Sequence, residues 1–235
     1  MSNTPLVSRE DWTRARLELL AEEKAMSKAL DALARKRREL PWVMVDKDYR
    51  FSGSEGEQSL VDLFAGHSQL VVYHFMYGPD WTQGCPSCSF WADNYNGIDI
   101  HLAHRDTALL AVSNTSLENI ETYRKRMGWQ FKWVSSLGSD FNRDFNVTFK
   151  PEEIEAGNVQ YNFAQRKFTA TEAAGLSVFT RTNDGGVAHS YSCYSRGLDI
   201  FNAAYQLLDM TPKGRDEDNL PYPMAWLRRH DQYGE

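Results

Sequence analysis

Residues 70–94 read LVVYHFMYGPDWTQGCPSCSFWADN, and the order of features in this stretch decides the fold class. Leu70 to Tyr77 is dense in β-branched and aromatic side chains and reads as a strand. A Gly78-Pro79-Asp80-Trp81 loop interrupts it. Cys85-Pro86-Ser87-Cys88 then opens a helix expected from about Pro86 to Asn96, with its stop near Gly97. Pro86 suits the first helical position, where its missing N–H is not needed and its fixed φ starts the turn.

A Cys-x-x-Cys pair between a strand and a helix is the context of a thiol redox motif. Cys85 lies at the positive end of the helix, where a thiolate is favoured. A fall in pKa from roughly 8.5 to about 7 raises the thiolate fraction at neutral pH from a few per cent to about half, a shift worth about 2 kcal/mol. Cys88, one turn further in, is placed to attack a mixed disulfide on Cys85, so the expected roles are nucleophile and resolving thiol. Two readings compete. One takes the pair as ordinary core thiols; the other takes Cys85 and Cys88 as metal ligands with an imidazole from His74, His101 or His104. No spacing ties any of those histidines to the cysteines.

The loop adds three candidates. Thr82, three residues before Cys85, offers a hydroxyl to a thiolate or a peroxide. Trp81 is either a flat surface beside the nucleophile or a loop anchor. Asp80 raises the pKa of any thiol near it and can serve as a base for the buried one.

Outward from this unit, Thr107 to Ser113 is a second apolar strand. Leu117 to Met127 is a helix with Ser116 as its N-cap and Gly128 as its stop. Phe131 to Leu137 is a third strand. Residues 138–175 show no clear period and read as an insertion carrying short structured pieces. Leu176 to Arg181 and Val187 to Tyr194 flank Asn183-Asp184-Gly185-Gly186, a hairpin pattern. A last helix is expected from about Leu198 to Leu208. Upstream, Val43 to Val45 is a short strand, and a long helix runs from a Ser8/Asp11 capping box to Pro41. Its apolar stripe of Trp12, Ala15, Leu19, Met26, Leu30 and Leu33 suits packing on the body or contact with a second copy in a homodimer. The expected organisation is a helical extension over 1–41, a mixed α/β domain over 42–210 with its insertion at about 138–175, and a tail over 211–235 packed on that domain.

Composition narrows the function. Among 235 residues, 26 Lys and Arg face 32 Asp and Glu, a net 26 − 32 = −6. The first fifty residues hold 11 basic and 9 acidic side chains, which leaves 15 against 23 and makes the body acidic. Nucleic acid is therefore an unfavoured partner. With 42% apolar residues the chain can fill a core. Three cysteines are too few for a disulfide-stapled scaffold. Charges in the first twenty residues break any signal-peptide core, and no run is long enough to span a membrane, so the cytoplasm is the expected compartment. No nucleotide-binding glycine pattern occurs. No cofactor is expected, and electrons come from a partner protein or a small thiol.

The element order, with Cys85 and Cys88 heading the first helix of the domain, resembles the thioredoxin fold. Tyr73 to Trp81, Gly84 to Asn94, Lys125 to Trp129, Gly138 to Asn142, Arg196 to Asp199 and Thr211 to Asp216 are similar to a more particular group. This is a bacterial thioredoxin-like family catalogued as domain of unknown function 899, allied to the alkyl hydroperoxide reductase and thiol-specific antioxidant proteins. The resemblance implies an α/β, thioredoxin-like fold with a mixed central sheet flanked by helices, and either thiol-disulfide oxidoreduction or a peroxidase reaction. The cis-proline that thioredoxins place before the hairpin is replaced by Glu172-Ala173-Ala174-Gly175. Ala174 stands where peroxiredoxins carry an arginine, and Arg181 or Arg143 are the available substitutes. Cys193 shares a strand face with His189 and Tyr191 by alternation and is expected to be an inert core thiol, with a second resolving or metal-binding role as the alternative.

Overall fold

The computed structural model describes residues 4–234. A helical unit ends at Trp42 and the body begins at Val43. The first unit is α1 (Arg9–Arg38), capped by Ser8, whose Oγ accepts from Asp11 N at 3.1 Å. Glu10 and Asp11 in the first turn and Arg35 to Arg38 in the last complement the helix dipole. No residue of α1 is buried.

The body comprises β1 (Val43–Met44), β2 (Arg50–Gly53), β3 (Gly56–Ser59), β4 (Gln69–His74), α2 (Pro86–Ala92), α3 (Ile98–Ala103), β5 (Thr107–Ser113) and α4 (Leu117–Arg126). It continues with β6 (Lys132–Ser135), α5 (Phe141–Asp144), α6 (Pro151–Glu155), β7 (Val159–Tyr161), β8 (Ala164–Arg166), β9 (Gly175–Arg181), β10 (Val187–Tyr194) and α7 (Ala203–Leu208). Among the described residues, the main sheet has eight strands in the order β1-β10-β9-β4-β5-β6-β2-β3. Strand β4 runs parallel to β5 and antiparallel to β9, and β9 antiparallel to β10. The succession β4-α2-β5-α4-β9-β10-α7, with β9 reversed beside β4, is the thioredoxin-like architecture that the sequence resemblance implies.

Two apolar cores follow from strand alternation. Tyr73, Ala111 and Leu176 join Cys88, Trp91 and Tyr123 on one face, whereas Leu70, Val72, Val112 and Phe179 meet Phe141 on the other. Central strands buried on both sides read as continuous apolar runs, which is why β4 and β5 are legible in sequence.

Three expectations are corrected, and one hairpin lies where no element was expected. The helix from Pro86 to Asn96 ends at Ala92, and after Gly97 at φ 88° a separate α3 begins. The helix from Leu198 to Leu208 is a 3-10 turn over Ser195–Phe201 followed by α7, with Asn202 as its N-cap. The β2–β3 hairpin, with its turn at Gly53–Gly56, is unexpected from sequence because its strands are short and polar apart from the buried Phe51, and so carry no apolar alternation. Finally, a bulge between His189 and Tyr191 breaks alternation: His189 pairs with Phe179 and Tyr191 with Val178. Cys193 and Tyr191 therefore face the Cys88 core, while His189 packs on Phe145 and Phe179 in the other. Among the described residues, no helix is long and apolar enough to cross a membrane.

Candidate functional site

The loop after β4 is pulled back onto the sheet. Phe75 N donates to Val112 O at 2.9 Å, and Cys85 N to Met76 O at 3.1 Å, which closes the excursion. Gly84 is required by close packing: a Cβ there would lie 2.6 Å from the Phe75 ring and 2.9 Å from Tyr123. The peptide before Cys85 is thus pressed against two aromatic rings. From the C-terminal segment, Arg229 donates to Gly84 O at 2.6 Å and to the Tyr123 hydroxyl at 2.7 Å. Tyr123 bonds the Ser89 hydroxyl at 2.9 Å, and Ser89 donates to Cys85 O at 2.9 Å. That segment is held in turn by Glu217, which accepts from Tyr205, Trp226 and Met224 N, and by the Arg126–Asp231 pair at 2.6 Å.

Cys85 is the half-buried N-cap of α2, with Pro86 at N1. Hydrogen bonding from the Cys88 thiol is the main influence on it; burial opposes this, and the backbone N–H groups of Cys88 and Ser87 and the Ser87 hydroxyl assist. The result is a thiol lowered to about 6. Cys88 is buried, and burial pushes its thiol well up, with the neighbouring Cys85 adding to the effect. Met76 N donates to Cys88 Sγ at 3.4 Å. The pair therefore combines an accessible sulfur that ionises readily with a protonated sulfur one turn inward.

A cavity of about 360 Å³ opens over the pair. Tyr73 lines it from the sheet, Met76 from the loop after β4 and Trp91 from α2, Tyr161 and Phe168 from the segment between β6 and β9, and Met224 from the C-terminal segment. Ala174, Arg196 and Asp199 also border it.

The other sequence candidates lie elsewhere. Asp80 and Thr82 are exposed, and neither they nor Trp81 line this cavity. The indole of Trp81 packs over Gly78, where a Cβ would come within 3.0 Å of its nitrogen. Thr82 contributes its carbonyl, which accepts from the Tyr77 hydroxyl at 3.3 Å. Among the described residues, no hydrogen bond joins the Thr82 hydroxyl to Cys85; the tight approach at Gly84 draws Cys85 inward while Thr82 and Gln83 stay at the surface. Arg181 donates to Gly185 O and Arg143 pairs with Glu153, so neither arginine reaches the cysteines. His101 and His104 are exposed on and just after α3. His74 lies on the opposite face, stacked on Phe141 and Phe145 and bonded to Ser177 at 2.8 Å. Among the described residues, no cluster of three or more His, Cys, Asp or Glu side chains is arranged to hold a metal. Cys193 is buried in the same core as Cys88.

Sequence reasoning missed Glu172. It is 1% exposed at the same end of the sheet, beside Gly78, and accepts from Asn114 at 3.0 Å and Thr148 at 2.6 Å. Burial raises its carboxyl to about 7 against the opposing effect of those donors and Asn142. It also missed Arg229 and the cavity walls, whose partners lie too far along the chain for any local signal.

The profile of a bacterial protein family of unknown function, DUF899, matches residues 1–233. No curated protein matches the chain significantly. Among solved structures, peroxidoxin BcpB from Mycobacterium tuberculosis is similar at TM-score 0.47 and 11% identity, covering 72% of this chain and 97% of that one. A cysteine mutant of PrxQ from Xylella fastidiosa gives 0.45 and 12%, covering 71% and 95%. Peroxiredoxin Q from Xanthomonas campestris, also as a cysteine mutant, gives 0.45 and 18%, covering 72% and 98%.

Proposed function

This chain belongs to the DUF899 family, whose description assigns no activity, and from the chain's own geometry we propose that it is a thiol-disulfide oxidoreductase. One observation carries the reading: a partly buried, low-pKa Cys85 lines a cavity and is hydrogen-bonded to a buried Cys88 whose thiol is pushed up. The Cys85 thiolate attacks a substrate disulfide, forming a mixed disulfide and expelling one thiolate. Cys88 then attacks Cys85 Sγ, the Cys85–Cys88 bond forms, and the second thiolate leaves with the proton that Cys88 gives up. Two electrons pass from the dithiol to the substrate. An external dithiol or a small-thiol reductant restores the pair, in keeping with a reducing compartment such as the cytoplasm.

A peroxidase needs groups that hold peroxide beside the nucleophile. The donors to Cys85 instead come from Ser87 and Cys88, and Thr82 is exposed and does not line the cavity, which favours disulfide exchange. The test uses reduced protein mixed with 2-hydroxyethyl disulfide or with hydrogen peroxide, each followed by tryptophan fluorescence. Exchange well above the rate of a free thiol, with turnover lost in both Cys85→Ser and Cys88→Ser, is the expected result. Rapid peroxide oxidation without disulfide exchange overturns it.

A further inference from the structure

Polypeptide substrates are often held by pairing their backbone with an open strand edge beside the site. The segment leading into β9 runs beside this cavity, and its backbone is already taken. Phe149 N donates to Thr171 O at 2.8 Å, and Ala173 N donates to Val147 O at 2.8 Å, so residues 147–149 pair with 171–173 as a bridge. The Tyr161 hydroxyl donates to Ala174 O at 2.8 Å and accepts from Ser195 N at 3.0 Å. Tyr161 thus ties the two sides of the cavity together, and its displacement strands two polar groups.

What remains open to Cys85 is a pocket of small-molecule size. Its walls are Met76, Trp91, Phe168, Leu198 and Met224 beside Tyr161. Phe168 is fixed by ring contacts at 5.2 Å with both Phe149 and Tyr161. The carboxylate at its border, Asp199, is matched by Arg215 at 3.2 Å and Arg196 at 3.3 Å, so it asks for no cationic ligand.

We propose that the substrate is a low-molecular-weight, uncharged disulfide with an apolar body, taken into this cavity, and not a cystine within a polypeptide. The inference rests on the thiol-disulfide reading and deepens it. In the balanced step, R–S–S–R′ is cleaved to two thiols while Cys85 and Cys88 are oxidised to one disulfide, and an external dithiol returns the two electrons.

Three probes test it with the full-length reduced protein: benzyl 2-hydroxyethyl disulfide, bis(2-hydroxyethyl) disulfide and insulin. The two small probes carry similar leaving thiols and differ in apolar bulk. The benzyl compound should oxidise the pair about tenfold faster than the bis-hydroxyethyl compound, the gain expected from burying a ring in an apolar pocket, and faster than insulin. Phe168→Ala should bring the ratio of the two small probes down at least about threefold by removing one wall. Insulin reacting as fast as the benzyl compound, a ratio near one in the native protein, or an unchanged ratio in a folded Phe168→Ala variant overturns the substrate class alone. The native-protein ratio stands without the variant should it not fold. Failure of all three disulfides to exceed the rate of a free thiol removes the underlying thiol-disulfide reading as well.

Discussion

Cys85 and Glu172 are weak acids at the same end of the sheet, and their surroundings drive them in opposite directions. Cys85 is lowered to about 6, while Glu172 is raised to about 7. Both accept hydrogen bonds, so the number of partners does not separate them. The balance against burial does. Around Cys85 the Cys88 thiol and the N–H groups of the first helical turn outweigh desolvation, because they converge on one partly buried sulfur. Around Glu172 the donors Thr148, Asn114 and Asn142 do not outweigh burial of a side chain that reaches almost no solvent. One loop, pinned at Gly78 and Gly84, runs between these two environments.

The largest effect breaks the comparison at its first member. Cys85→Ser should lower the rate of disulfide exchange by more than about a thousandfold, because an alcohol does not ionise in this range. Cys88→Ser should keep the first attack and accumulate the mixed disulfide, which mass spectrometry detects as an adduct on Cys85.

Glu172 tests the second member. Its folded pKa is raised, so the stability it contributes is fully present below its ordinary value and is lost as pH rises through about 7. Native protein should lose on the order of 3 kcal/mol from this group between pH 5 and 9. Glu172→Gln should flatten that part of the urea-denaturation profile and be the more stable form at the alkaline end.

Arg229 probes the loop between them. Arg229→Ala removes charged hydrogen bonds to Gly84 O and Tyr123 and should cost about 2 kcal/mol of stability. With Gly84 released, the donors to Cys85 lose alignment. Thiol titration should then show Cys85 shifted upward while the Glu172 profile is unchanged.

The smallest effect is in the pH–rate profile. Reaction with a neutral disulfide should climb roughly tenfold between pH 5 and 7 as Cys85 ionises, then level off near pH 8. Cys88→Ala, which removes the leading donor, should move the midpoint upward by roughly one unit. A profile still rising at pH 8 in native protein breaks the contrast with Glu172.

The legible parts of the fold are those whose signals lie close in sequence. The strand at Thr107–Ser113 matches its expected bounds, and Ser116 caps α4 by accepting from Asn119 N at 3.2 Å. The Cys-Pro-Ser-Cys order alone places one cysteine as the helix cap and the other a turn inward. The bulge at Ser190 was not legible: nothing in His189-Ser190-Tyr191 marks the extra residue, yet it sends His189 to the opposite core. Asp80 and Thr82 illustrate the reverse failure. Nearness in sequence to Cys85 suggested contact, and the turn through Gly78 left both at the surface.

By itself, then, the sequence determined the unit of strand, loop, paired thiols and helix, because burial period, proline at N1 and cysteine spacing act within a few residues. Only the tertiary structure decided what surrounds the sulfur. Arg229 and Gly84 meet across 145 residues, and Tyr161 reaches the Cys85 cavity from the segment between β6 and β9. Burial and hydrogen-bond partners come from whichever segments the fold brings together, and those govern ionisation and access more strongly than the residues next door.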